Sequence, residues 1–345
     1  MNKIECSFKS LIAGLGMAGM LVLGTGSLTA QAQPVVLKFA SFEPAQASFT
    51  GRVFQGWAED VTKASGGTLK IEIFAGGTLG RNPAQQFKLV QDGVADIAWV
   101  ITGYTPGRFD DTEVVELPFL VNNSFEGSTV LTRLLDKDVL VGFADLKVLM
   151  IGNVPPVSIH TKFPLRTLAD LRGKRLRAAS TVTARIVESM GAVPVLLGAP
   201  QTAEAIAKGV VDGTMAEWNF VETFRIPEVT QHHLVLPLGA TAVMIPMLKK
   251  RYDALPPQAR AAIDKYSGQT LVKRFAAVAD EQITAVPAAI ERQGKNTLTR
   301  PDAAVTESFR KAVLPVTEEW RKAKPRNDRV YQAFAAELAR LRSGK

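Results

Sequence analysis

Apolar positions along this chain change their period again and again. Residues 35–42 (VVLKFASF) form a short β-branched run that ends in a loop, the pattern of a strand. From 49 to 65 the period lengthens: Phe49, Val53, Phe54, Trp57 and Val61 recur at helical spacing, and Gly66–Gly67 stops them. Residues 68–77 alternate as a second strand, 82–94 form a short helix ending at Gly93, and 95–103 read as a third, largely buried strand. This alternation predicts an open parallel α/β sheet.

The same pattern returns further on. Strands are expected at 146–154 and 157–162, and a short helix at 167–173, begun by Thr167 and stopped by Gly173. Strand 174–180, helix 181–192, strand 193–198, helix 200–210 and strand 211–217 follow. Two α/β units therefore meet near residue 155, where VPPV interrupts the pattern. Residues 253–293 read as mostly helical and long enough to span both units. Prolines stand at their start, and Ala262, Ile263, Tyr266, Leu271, Phe275 and Val278 recur every three or four positions. Runs at 307–322 and 329–342 complete a helical C-terminus.

Composition narrows the class. A length of 345 residues suits about two domains, and 46% hydrophobic with 21% charged residues suits a globular chain. The net charge of +8 favours anionic partners or solutes. The N-terminus carries Lys3 and Lys9, an apolar run at 11–27, and small residues at Ala30 and Ala32. That is the pattern of a secretory signal peptide over residues 1–32, cleaved after Ala32. The run is too short and glycine-rich for a membrane span. The single cysteine, Cys6, precedes it, so a soluble mature chain without thiols is expected, and no lipid anchor.

Enzyme signals are weak. His160, His232 and His233 have no metal-ligand spacing, and no nucleophile elbow, phosphate loop or dinucleotide fingerprint appears. The glycine-rich GGTLG at 76–80 lacks the lysine and hydroxyl of a nucleotide loop. Basic residues are interleaved with acids and aromatics amount to 7%, so nucleic acid is not an expected partner. What remains stands at strand ends, where open α/β sheets bind ligands. Phe42 ends the first strand, Tyr104 follows the third, Arg177 lies in KRLRA, and Glu217, Trp218 and Asn219 end VDGTMAEWN. One arginine among aromatics suits a small organic anion, because a guanidinium holds a carboxylate through two parallel hydrogen bonds. Each residue also has a bland reading. Arg172, Lys174 and Arg175 read as solvated, and Arg177 equally as a surface strand residue. Trp218 reads as core, Glu217 as a surface acid, salt-bridge partner or cation ligand, and Tyr104 as a loop aromatic.

Five segments taken together carry a resemblance: SGGTLKIEIFAGGTLG, LVQDGVADIA, ELPFL, TLADLRGKRLRA and AIAKGVVDG. In this order they resemble the periplasmic solute-binding proteins of TRAP transporters, of the dicarboxylate-binding (DctP) type, over about residues 35–325. The resemblance implies a type II periplasmic binding protein fold: two α/β lobes with a cleft between them and a long connecting helix. Lobe I is expected at 33–154 plus about 243–285, and lobe II at 155–242 plus about 286–345. No catalysis and no cofactor are implied. The family's carboxylate-binding arginine falls on Arg177, and Tyr104, Glu217 and Trp218 match members that bind small 2-oxo or 2-hydroxy acids. In some of those a cation joins the glutamate; whether one does here stays open. The polar residue that helps them upstream of the arginine is replaced by Val157, which points to a less polar ligand. An aromatic or aliphatic monocarboxylate is then as reasonable as lactate or pyruvate.

The expected function is capture of a small organic acid, closure of the lobes, and delivery to integral membrane permease subunits for uptake, with sodium as the driving ion. An extracytoplasmic sensor for the same acids is the alternative, and a periplasmic enzyme a third reading that lacks any acid–base constellation. A monomer is expected, with dimerisation through the C-terminal helices left open.

Overall fold

Twelve strands fall into two six-stranded sheets in the computed structural model, which describes residues 33–344. They are β1 (Val35–Ala40), β2 (Leu69–Phe74), β3 (Ile97–Ala98), β4 (Val100–Ile101), β5 (Leu146–Asn153) and β6 (Ser158–Thr161). The rest are β7 (Arg175–Ala178), β8 (Val193–Leu196), β9 (Gly213–Ala216), β10 (His232–Leu234), β11 (Ala242–Leu248) and β12 (Thr297–Thr299). The expected leader, with its cleavage point and Cys6, lies outside the described residues.

The first sheet has the order β2-β1-β3-β11-β4, with β5 added alongside β11; the second has the order β12-β10-β6-β9-β7-β8. The parallel pairings expected from strand–helix alternation are present: β1 with β2 and β3, and β7 with β8 and β9. Neither sheet is purely parallel, however. β11 runs antiparallel to β3, β4 and β5, and β6 antiparallel to β9 and β10. The reason is connectivity, since a chain that crosses between sheets and back must enter one of them reversed. β11 is an uninterrupted apolar run (AVMIPML), buried except at Leu248, and so it shows neither a helical nor an alternating period.

The strands of the first sheet lie within 35–153 and 242–248, here called lobe I, and those of the second within 158–234 and 297–299, here called lobe II. The last helix, Pro325–Arg342, packs both on the lobe I helix Ser124–Asp136 and on the preceding helix Ala303–Ala323. Its apolar stripe (Val330, Phe334, Leu338) is buried there, and Arg326–Asp111 and Arg342–Glu126 ion pairs, each 2.7 Å, fix its ends. The 124–136 helix has no counterpart in the sequence reading, because much of its buried face is Ser, Thr and Gly. Those small residues permit close approach to β5: a Cβ on Gly127 would lie 2.1 Å from Asn153 Oδ1.

Residues 253–293 likewise divide into several helices, among them Pro257–Tyr266 and Gln269–Gln293, which part at Ser267–Gly268. The longer one packs on lobe I through Phe275 against Phe49, 4.5 Å between ring centroids, and on the lobe II helix Trp218–Thr223. It therefore spans both lobes, as expected of it.

The crossing back into β11 is stitched to lobe I at one glycine. Gly239 has φ +92°, and a Cβ there would lie 2.0 Å from the Glu116 carbonyl oxygen. Its own carbonyl accepts from Val157 N–H at 2.7 Å. Gly239→Ala combines left-handed strain with a backbone clash, and is expected to cost about 2–5 kcal/mol in urea unfolding. A loss below about 0.5 kcal/mol would contradict this close approach.

Candidate functional site

Arg177 is positioned by a local device. Thr167 and Asp170 form a reciprocal capping box around a single 3-10 turn, Leu168–Leu171, and Gly173 at φ +69° reverses the chain into β7. Position along the strand then sorts the basic run: Arg175 opens β7 at its exposed end, while Arg177 lies further in, paired to β8 and β9 on either side. Arg172 and Arg175 are exposed, with Arg175 paired to Asp212 at 3.3 Å, and Lys174 lies over the Phe163 ring at 4.9 Å. Arg177 points inward and is only 2% exposed. Its Nε donates to Leu197 O and its Nη2 to the Tyr104 hydroxyl, both at 2.9 Å, and its guanidinium lies 5.0 Å from the Phe220 ring centroid. Among the described residues it has no carboxylate in ion-pair contact.

The cavity beside Arg177 lies between the two sheets. Phe42, Trp99, Phe220 and Phe224 supply aromatic walls, and Val154 and Val243 aliphatic ones. Its volume is only about 20 Å³, room for about one water. A wider groove of about 520 Å³ adjoins it, lined by Arg81, Tyr104, Ser180 and Leu197. The Tyr104–Arg177 hydrogen bond links a residue of that groove to one of the inner cavity. Burial raises the Tyr104 pKa and the Arg177 charge draws it back, so at neutral pH the phenol keeps its proton and its oxygen accepts.

Two carboxyls share the inner cavity, one from each lobe. Glu217 is 8% exposed, and burial pushes its pKa up to about 7, against its own N–H, the Arg177 charge and the Phe220 N–H. Glu43 is 4% exposed and pushed up to about 8; burial dominates, the Trp99 indole opposes it, and Glu217 adds to it. Trp99 Nε1 donates to Glu43 Oε1 at 3.1 Å, while Oε2 has no partner. Gly76 and Gly77, both at positive φ, donate their N–H groups to Glu43 O (2.7 Å) and Ser41 O (2.9 Å). The glycine-rich 76–80 stretch thus fixes the loop that carries Phe42 and Glu43.

Arg177, Tyr104, Glu217 and Phe42 converge at the lobe boundary; the other two expected residues do not line the inner cavity. Strand β9 stops at Ala216, and Glu217 is the N-cap of the helix Trp218–Thr223, so the following side chains rotate away. Trp218 packs edge-on against His160, centroids 4.9 Å apart. Asn219 Oδ1 accepts from Ser48 Oγ across the lobes. Val157 is also absent from the lining; it packs in the core, and Val154 takes its place. Sequence reasoning missed Glu43, Trp99, Phe220 and Phe224. Glu43 follows Phe42 directly, so extending the strand-end rule by one residue finds it.

His160 and His233 are buried core groups: His160 Nε2–H donates to Ala216 O at 3.1 Å, the two Nδ1 atoms meet at 2.8 Å, and His233 Nε2 lies 3.2 Å from Asn296 Oδ1. Burial lowers the pKa of both rings, that of His233 to about 4. No group of metal-ligating side chains occurs among the described residues.

With this geometry in place, the comparisons identify the family. The model of bacterial extracellular solute-binding proteins, family 7 (DctP), matches residues 39–323. The chain belongs to this family of TRAP-type extracellular solute-binding proteins. It is 28% identical, over 86% of its length and 88% of the relative's, to a protein of Comamonas testosteroni named outer membrane transporter protein TsaT. A TRAP solute-binding protein from Rhodoferax ferrireducens, solved with copurified benzoate, superposes with a TM-score of 0.84 at 29% identity, covering 89% of this chain and 98% of that one. A marine metagenome TRAP protein specific for aromatic acids, solved with 3-hydroxybenzoate, gives 0.84 at 29% identity, covering 90% and 99%.

The buried acids fix the direction of the pH response. Burial raises the pKa of Glu43, Glu116 and Glu217, and in the unfolded chain each titrates near 4.5. Their contribution to stability is fully present below about pH 4.5 and is lost progressively as pH rises to 7–8, the folded-state values. Thermal midpoints measured from pH 5 to 9 are expected to fall and then level above pH 8. Glu116→Gln, which keeps an acceptor for Ser180 Oγ, is expected to flatten part of that fall. Stability that rises between pH 5 and 8 would contradict the assignment.

Proposed function

We propose that this chain is exported with cleavage of its leader, and binds a small organic acid between its lobes in the periplasm. It then presents the closed complex to the membrane permease of a TRAP transporter. The acid is bound and released unchanged. The observation that carries this reading is Arg177, a guanidinium almost wholly removed from water with only neutral protein acceptors. A buried charge is costly until it is paired, and a ligand carboxylate supplies the missing countercharge with matching geometry.

The apolar, largely aromatic lining favours a flat hydrophobic body behind that carboxylate. The benzoate and 3-hydroxybenzoate bound by similar structures support an aromatic monocarboxylate as the ligand class. The small volume of the inner cavity requires the lobes to part for loading and to close afterwards. Export is supported by the N-terminal pattern and by the extracellular character of the family.

Titration calorimetry with benzoate and its hydroxylated derivatives tests this reading. Arg177→Ala is expected to weaken binding of every acid by about 2–5 kcal/mol. Tyr104→Phe, which strips one acceptor from the guanidinium, is expected to cost about 1–3 kcal/mol. Wild-type affinity in the folded Arg177→Ala variant would overturn the assignment.

A further inference from the structure

Of the polar groups lining the cavity, Glu43 is the one with a buried side-chain oxygen that has no hydrogen-bond partner among the described residues. Glu43 sits on the lobe I wall, 4% exposed, with Oε1 engaged by the Trp99 indole and Oε2 without a partner. The backbone beneath it is held by Gly76, and its own N–H donates to Ser41 Oγ at 3.2 Å. The carboxyl is therefore fixed in place, and its free oxygen belongs to the same lining as Arg177. Leaving a buried polar atom unpartnered costs free energy; of its polar neighbours, the Thr50 hydroxyl, which also draws the Glu43 pKa down, pairs with Ser41 Oγ at 2.9 Å, and Glu217 shares the cavity lining.

We propose that Glu43 reads a second polar group on the bound acid, selecting a hydroxylated aromatic carboxylate over its unsubstituted parent. The inference rests on the organic-acid reading above and adds the chemistry of the ligand's body. Trp99 restricts the carboxyl's rotation, so Oε2 is presented in one direction. A ligand hydroxyl meets it in either protonation state, accepting from the neutral acid or donating to the carboxylate. Burial keeps the carboxyl largely neutral at pH 7, which spares the ligand carboxylate a like charge in the same cavity. A ligand lacking the hydroxyl leaves Oε2 unpaired, and sites built to bond a hydroxyl reject analogues without it.

The test uses the mature chain and a panel of benzoate, 3-hydroxybenzoate, 4-hydroxybenzoate and mandelate, with affinities from calorimetry at pH 7. The wild type is expected to bind at least one hydroxylated acid about tenfold or more tighter than benzoate. Glu43→Leu is expected to bring that ratio close to one while benzoate affinity holds or improves. Glu43→Gln, which keeps a polar tip of the same shape, is expected to retain part of the preference, and serves if the leucine variant does not fold. Equal wild-type affinity for benzoate and every hydroxylated acid overturns the inference, as does an unchanged ratio in a folded Glu43 variant. Both results leave the Arg177 reading standing. If no acid in the panel binds, the aromatic-acid reading and this inference fall together, and Arg177→Ala then has no binding to lose.

Discussion

A single guanidinium taken out of water governs the arrangement of this molecule. Arg177 lies at the lobe boundary, and the protein meets it with a carbonyl, a phenol and the face of a ring rather than with a carboxylate in contact. Such a charge is tolerable only where its donors are used and a countercharge is within electrostatic reach. Glu217 supplies partial compensation from the same cavity, and burial holds its pKa near 7. This arrangement keeps the guanidinium available.

The hydrogen bonds that steady the site also join the lobes. Tyr104 to Arg177, Ser48 to Asn219 and Ser180 to Glu116 each pair a residue of one lobe with a residue of the other. Gly239 stitches the returning chain to the Glu116 segment, and helix Gln269–Gln293 packs on both lobes. Arg177 therefore takes part in one of the hydrogen bonds that join the lobes. Differential binding to the closed state is what allows a solute to shift an equilibrium between open and closed forms.

Much of the site was legible in the sequence, and the failures have local causes. The strand-end rule points to Phe42, Tyr104, Arg177 and Glu217, which the fold brings to the lobe boundary, whereas Val157, read as a cavity position, packs in the core. Trp218 and Asn219 were misplaced because β9 ends at Ala216. Once a helix begins at Trp218, successive side chains rotate by the helical period instead of alternating, and both turn from the cavity. Glu43 went unread because a charged residue beside proline after a strand looks like an ordinary solvated turn. Only the packing of Trp99 over it and the glycine contacts beneath it show otherwise.

The sequence by itself determined most of the local elements, the short turn and Gly173 that lead into β7, and the family. These are set by periods and punctuation within a few residues, where side-chain alternation and glycine's access to positive φ act directly. Tertiary structure alone decided the antiparallel insertion of β11, the return of the last helix to lobe I, and the meeting of Glu43 with Glu217 across the cavity. Those depend on contacts between residues far apart in the chain, such as Ala242 with Asn153 and Met247 with Ile97, brought together by crossing connections. A period in one segment reports which of its faces is buried, and carries no record of what buries it.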